Sequence, residues 1–328
     1  MTGRSPKVVV IGSTYVDMAV RCSQIPSPGQ SVVGSSLSYS AAGPGPNQAA
    51  QASLCGCEVH LISKVGGDHC AELVKRDLAE FKVNTELVCT AEAKNTGMAV
   101  TLVNSAGENA ACFYAGANSA LQPQDIDAAE QVISDADVCL VHGGLPYQAL
   151  IKALGCANVH GTMIILDPAR PVESRCIGGK QGGDLPMEFF SADVLIPNLC
   201  EAAEITDKSG GNMRTAKLMG SDLVTRGVKY AVITMGRRGC MVVDRNGADQ
   251  IPPFNVELVD QAGSGDAFAG ALAACCAVGD EIRQAVKFAS AAGALACSKF
   301  GFIEAMPTKA EIIELLQRDD VDVLPNNP

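Results

Sequence analysis

The sequence predicts an α/β fold of three layers, Rossmann-like, with a mostly parallel central sheet between helices and a second, small β-sheet beside it. Three observations predict it. From Val138 onward, short apolar runs alternate with helical patterns, as they do when parallel strands are joined by crossover helices. The early strand-like runs and the segment from Gly97 to Tyr114 have no crossover helices, so they fit a separate sheet. Finally, 328 residues, 47% hydrophobic and 19% charged, bury one large core with a small accessory layer and exclude a largely disordered chain.

In chain order, Lys7 to Ile11 and Asp17 to Arg21 read as strands, and Ser31 to Ser40 alternates weakly as a third. A helical pattern follows Asn47 and stops near Gly56. Val59 to Val65 is a strand and Ala71 to Phe81 a helix. Gly97 to Val103 and Ala110 to Tyr114 flank Ser105-Ala106-Gly107-Glu108-Asn109, the pattern of a hairpin. Beyond it the predicted strands are Val138 to Val141, Met163 to Leu166, Val194 to Ile196 and Tyr230 to Thr234. The predicted helices are Tyr147 to Ala157, Cys200 to Ile205, Thr215 to Arg226, Asp266 to Val278 and Glu281 to Ser298. Gly178 to Gly183 reads as a loop by composition.

A net charge of −11 repels phosphate backbones and argues against a nucleic-acid partner, although backbone amides can still bind a small phosphorylated ligand. With no Trp and 4% aromatics, the core rests on Ala, Val, Leu and Ile. Many of the 14 Cys lie inside apolar runs (Cys139, Cys275, Cys276, Cys297) and read as small buried hydrophobes in a reducing compartment. Cys55, Cys57 and His60 match no common zinc spacing. No signal peptide is expected, since Met1 to Lys7 run straight into Val8-Val9-Val10-Ile11. The apolar run Ala267 to Gly279 falls short of the roughly 20 residues that span a bilayer. These features predict a cytoplasmic protein with no membrane partner.

Four segments carry candidate chemistry. In Asp260-Gln261-Ala262-Gly263-Ser264-Gly265-Asp266, a glycine-rich turn opens an Ala-rich helix. Such a turn aims free N–H groups at one point, which suits an anion, while Asp266 in the first turn can take a proton from a hydroxyl. A tight turn with a favourable first-turn Asp is the plainer alternative. The run is neither a Walker A loop nor a dinucleotide fingerprint. In Ala42-Gly43-Pro44-Gly45-Pro46-Asn47, glycines admit a ligand to the backbone and Asn47 offers donor and acceptor. Upstream, Tyr15 and Asp17 lie just past a strand end. Here the alternative is a turn with Asn47 as N-cap. In Asn198-Leu199-Cys200-Glu201, two oxygen-bearing side chains share a helix face suited to hydrated Mg²⁺ and phosphate, or form a capping box. Thr234-Met235-Gly236-Arg237-Arg238-Gly239 fits a nucleotide contact or a β-turn before Met241-Val242-Val243.

In this order, the four segments resemble the ribokinase, or PfkB, family of carbohydrate kinases over nearly the whole chain. Ala42 through Gly56 to Gly66 matches the family's first signature, and Asp260 with Gly263-Ser264-Gly265-Asp266 its second. Pro197-Asn198 to Glu201 is similar to its Asn-x-x-Glu motif, and Thr234 to Gly239 to its nucleotide loop. Gly107-Glu108-Asn109 and Tyr114-Ala115-Gly116-Ala117-Asn118 resemble the ribokinase branch. The resemblance implies ATP-dependent phosphorylation of a sugar primary hydroxyl, with Asp266 as base and the amides from Ala262 to Gly265 as anion hole. It implies ATP along Asn198, Thr234, Gly236, Arg237, Gly239, Gly265 and Ser290, and Mg²⁺ ordered indirectly through Glu201. Tyr15, Asp17, Gly43, Pro44, Gly45, Pro46 and Asn47 would hold the sugar. A potassium ion would sit among Asp260, Ala262, Ala296, Lys299 and Gly301. The chain would be one kinase domain over 1–328, with a lid from about 13–44 and 95–118 that also pairs two chains into a homodimer.

The chain departs from the family on the sugar side. Gly43-Pro44-Gly45-Pro46-Asn47 lacks the usual Lys and carries two prolines. Gln261 stands where a hydroxyl residue is usual, and Ala305 where a Ser is. No acid occurs in His142-Gly143-Gly144-Leu145, where ribokinases carry a sugar-contacting Glu and where His142 is the substitute at hand. Phosphoryl transfer is left intact by these departures. Ribose remains open against another sugar or a nucleoside, such as fructose or adenosine, or a catalytically weak ligand-binding role.

Overall fold

The computed structural model describes residues 4–169, 185 and 187–318. Its main sheet has nine strands in the order β13-β12-β11-β10-β9-β8-β1-β4-β5. These are β1 (Lys7–Ile11), β4 (Glu58–Gly66), β5 (Val88–Ala91), β8 (Val138–His142), β9 (Met163–Asp167), β10 (Val194–Leu195), β11 (Tyr230–Thr234), β12 (Cys240–Asp244) and β13 (Gly247–Ile251). The run from β5 to β11 is parallel, and β12 and β13 close one edge as antiparallel strands. β1 explains why the sheet is covered on both faces. Val8 and Val10 join one core cluster, Val9 and Ile11 the other, and all four are buried. A strand apolar at every position cannot leave a face to water.

Helices α1 (Pro44–Leu54), α2 (His69–Glu80), α8 (Ser264–Val278), α9 (Ile282–Cys297) and α10 (Lys309–Gln317) supply the first cluster. The second is built by α3 (Pro123–Asp127), α4 (Glu130–Ser134), α5 (Tyr147–His160), α6 (Leu199–Thr206) and α7 (Met213–Arg226). The predicted strands and helices all form, with ends shifted by a few residues. The pattern did not disclose β5, β13, α3, α4 and α10. The Gly178–Gly183 loop lies outside the described residues.

The small sheet has the order β3-β2-β6-β7, from β2 (Tyr15–Cys22), β3 (Gly34–Ala42), β6 (Gly97–Val103) and β7 (Asn109–Tyr114). The predicted hairpin is β6–β7. Asn118 pins two of the four places where the chain passes between the sheets, after β1 and after β7. Its side-chain oxygen accepts from the Thr14 N–H at 2.8 Å, and its amide donates to the carbonyls of Thr14 and Ala115 at 2.7 and 2.9 Å. Asp68, the N-cap of α2, fixes a third point by accepting from the Thr96 N–H and hydroxyl at 2.8 and 2.6 Å.

The thirteen cysteines among the described residues are free; Cys139 and Cys275 are buried as expected, whereas Cys276 and Cys297 are partly exposed. No helix among the described residues is long and apolar enough to cross a membrane.

Candidate active site

Two helices meet end to side at the centre of the site. α8 opens after Gly263, whose backbone is left-handed (φ 73°), and Asp266 stands at its third position. There the first N–H groups of the helix have no intrahelical acceptor, but that of Ser264 turns back to the Gln261 carbonyl at 3.4 Å, which leaves that of Gly265 beside the carboxylate. The Ala262 N–H is not among them, because it donates to Asp260 Oδ1 at 3.0 Å. The candidate anion-binding amides therefore narrow from the predicted four to those of Gly263 and Gly265.

α1 begins at Pro44, four residues before the predicted start at Gln48, with Gly43 as its N-cap. Asn47 is consequently not an N-cap: its N–H bonds the Gly43 carbonyl at 3.0 Å as an ordinary helical residue. Pro44 and Pro46 fall in the first turn, where a missing N–H costs no helical hydrogen bond. The Gly45 N–H donates to the Ser13 carbonyl at 3.0 Å, and a Cβ on Gly45 would stand 2.8 Å from the Gly12 carbonyl oxygen. The loop thus offers a ligand side chains rather than amides, and its glycines serve the close approach of α1 to β1.

That approach delivers Asn47 and Gln48 to Asp266. Asn47 Nδ2 donates to Asp266 Oδ2 at 2.8 Å and Gln48 Nε2 to Oδ1 at 3.1 Å. The same Gln48 Nε2 donates to Asp167 Oδ2 at 2.9 Å. Burial pushes the Asp266 carboxyl up to about 6, against the lowering effect of the two amide donors. Asp167 is held well above the carboxylate range by burial first, then by the charges of Glu201 and Asp266. Asp167 and Gln48 were not singled out in the sequence. A lone Asp ending β9 gave no local signal, and the residue after Asn47 read as ordinary helix.

Asn198 and Glu201 form the capping box of α6: Glu201 N–H donates to Asn198 Oδ1 at 2.9 Å and Asn198 N–H to Glu201 Oε2 at 2.8 Å. Asn198 also bridges to Thr234, whose N–H bonds the Pro197 carbonyl at 3.0 Å, so the third and fourth motifs adjoin. Thr234 to Gly239 is the β11–β12 turn, with Gly236 and Gly239 both at positive φ and Arg237 between them. Ser290 on α9 donates to the Val286 carbonyl at 2.8 Å and lies 3.5 Å from the Cys240 sulfur, one residue past this turn.

On the small sheet, Asp17 is buried and accepts from the Thr101 hydroxyl at 2.6 Å. Burial raises its carboxyl, with a smaller contribution from Glu304. The Tyr15 ring packs where a Cβ on Gly43 would stand, and meets Phe113 edge-on at 6.0 Å. His142 Nδ1 accepts from the Gly144 N–H at 3.2 Å, and His142 is paired in register with Asp167. The segments proposed to hold an alkali ion also adjoin. The Asp260 N–H bonds the Cys297 carbonyl at 3.1 Å, and the Lys299 N–H the Ala296 carbonyl at 3.2 Å. Carbonyl and carboxylate oxygens are the donors such a hard ion takes.

The profile of the pfkB family of carbohydrate kinases matches residues 5–309. The chain is 30% identical to a Bacillus subtilis protein named ribokinase, over 94% of this chain and 99% of that one. It is also 30% identical to a bifunctional ribokinase/ribose-5-phosphate isomerase A of Fructilactobacillus sanfranciscensis. That match covers 96% of this chain but 57% of the relative, so the chain spans little more than half of that protein. Arabidopsis thaliana ribokinase, solved with ribose and ATP, shares the fold: the TM-score is 0.84 at 24% identity, over 96% of this chain and 99% of that one.

Proposed function

The chain belongs to the pfkB family of carbohydrate kinases, and on that premise we propose that it converts D-ribose and ATP to ribose 5-phosphate and ADP. It is a phosphotransferase that acts on a sugar hydroxyl. The observation that carries the mechanism is Asp266 itself: half-buried, at the opening of α8, with both carboxylate oxygens held by side chains of α1. A base near pH 6 takes the proton of the primary hydroxyl as that oxygen bonds to the γ-phosphorus and the bond to ADP breaks. The N–H groups of Gly263 and Gly265, on either side of Ser264, stabilise the charge on the transferring group. Asn198, Thr234, Gly236, Arg237, Gly239 and Ser290 line the ATP side. Tyr15, Asp17, Gly43, Asn47 and the prolines line the sugar side.

Glu201 is the carboxylate suited to hydrated Mg²⁺, which when bound neutralises charge on the phosphates. Asp260, with the carbonyls of Ala262, Ala296, Lys299 and Gly301, suits potassium, which would steady the turn before Asp266.

The chain reads as one kinase domain whose small sheet, 13–44 and 95–118, closes over the sugar to exclude water. In support, the Arg21 guanidinium lies over the Phe300 ring at 4.3 Å, joining β2 to the 299–301 segment. A homodimer through this sheet is supported by its outer face. Leu37 and Tyr39 of β3 and Tyr114 of β7 are half-exposed there, opposite the face that carries Asp17 and Thr101. A cytoplasmic location agrees with the free cysteines.

An ADP-release assay over ribose, deoxyribose, fructose and adenosine, in potassium and in sodium, tests the substrate. Ribose as the best substrate, with higher turnover in potassium, is expected. Turnover of another acceptor without ribose would overturn the assignment of the sugar.

A further inference from the structure

Gln48 occupies a position that the mechanism above does not use. It is fully buried, one residue past Asn47 in the first half of α1. Its single amide nitrogen reaches two carboxylates on different elements, Asp266 of α8 at 3.1 Å and Asp167 of β9 at 2.9 Å. An amide nitrogen carries two hydrogens, so each carboxylate takes one and the nitrogen is saturated. The carbonyl side of the same amide, Oε1, is buried without a hydrogen-bond partner, as is Asn47 Oδ1 beside it. Leaving a buried acceptor unmade costs about 1–3 kcal/mol, and the reverse rotamer would set Oε1 against two carboxylates. The amide is therefore held by the two acids.

Its backbone is held just as firmly. α1 crosses α8 at Gly270, where an added Cβ would stand 2.5 Å from the Gln48 carbonyl oxygen. The charges that bear on Asp167 are those of Glu201 and Asp266, both acidic, and His142 stands beside it in register on β8. Among the described residues, the Asn47 and Gln48 amides are the groups that favour the ionised form of Asp266.

We propose that Gln48 is a positioning residue that keeps Asp266 aimed and ionised, and that it does so jointly with Asp167, by sharing one amide between the two acids. The catalytic consequence rests on Asp266 being the base, whereas the coupling of the two carboxyls through Gln48 does not. Removing the amide must move both acids toward their neutral forms, because each loses a donor that favours its charge.

The test is the ¹³C titration of the side-chain carboxyls in full-length protein labelled at Asp, with the two resonances assigned by their loss in Asp266→Asn and Asp167→Asn. In Gln48→Leu, both titrations are expected to move upward, Asp266 by about one pH unit or more. Gln48→Met, which keeps the unbranched chain, serves if the leucine variant does not fold. The acid limb of kcat/KM for ribose is expected to rise by the same amount, so that activity lost at pH 7 returns at pH 8.5. Unmoved carboxyl titrations overturn the proposal, as does a loss of activity equal at every pH. Wild-type protein without kinase activity would overturn the function instead, while the titrations still decide the role of Gln48.

Discussion

At Asp266 the chain combines two opposed effects. Burial raises the carboxyl to about 6, and two amide donors keep it from rising further. A base must be ionised to accept a proton, so kcat/KM is expected to be flat above pH 7 and to fall about tenfold per unit below pH 6. A pH profile with its acid limb near 4 would contradict the desolvated setting of the Asp266 carboxyl. The local setting of this residue was legible in the sequence: the Gly-Ser-Gly-Asp run does open a helix, with the candidate base in its first turn. Asp167 and Gln48 were not legible, because their roles arise only where β9, α1 and α8 converge. Nor did the run reveal that Ala262 spends its N–H on Asp260, since an Asx-type bond and a free amide look alike in sequence.

At the scale of elements, the close crossing of α1 and α8 sets the distances at the site. Gly270→Ala places a methyl group against the Gln48 carbonyl. Thermal or denaturant unfolding should show a loss of about 1–3 kcal/mol, and kcat should fall although Gly270 touches no substrate. A fully active, equally stable variant would show that the crossing has slack. Asp68 ties α2 to the root of the small sheet. Burial works against its charge, but the Thr96 hydroxyl and the N–H groups of Thr96, Ala71 and Cys70 outweigh it and hold the carboxyl low. Its contribution is therefore present above the unfolded value near 4 and is lost as pH falls through the lower folded value. Asp68→Ala should cost about 1 kcal/mol at pH 7 in chemical denaturation, and less at pH 3. The helix α1 shows why element boundaries are hard to read. Pro44 and Pro46 signalled a turn, yet a proline in the first helical turn is unstrained, so the helix begins at the first of them. The edge strands β5 and β13 were missed because a short, half-exposed strand has little apolar pattern.

For the whole molecule, the sequence disclosed the layered architecture through its alternation of strand and helix, and the second sheet through the lack of crossovers. It did not disclose how the sheets are joined, which depends on Asn118 reaching Thr14 across 104 positions. The exposed apolar face of the small sheet predicts self-association. Light scattering on the purified chain should give a dimer, and Leu37→Asp with Tyr39→Asp a folded monomer; a wild-type monomer at tens of micromolar would remove the dimer. The account as a whole turns on Asp266 as the base of sugar phosphorylation. The most direct test is to incubate wild-type protein and Asp266→Asn with D-ribose, ATP and Mg²⁺, following the products by ³¹P NMR. Ribose 5-phosphate and ADP should form with wild type and at least about a thousandfold more slowly with the variant. A variant within tenfold of wild type, or ADP released with free phosphate and no sugar phosphate, would contradict it.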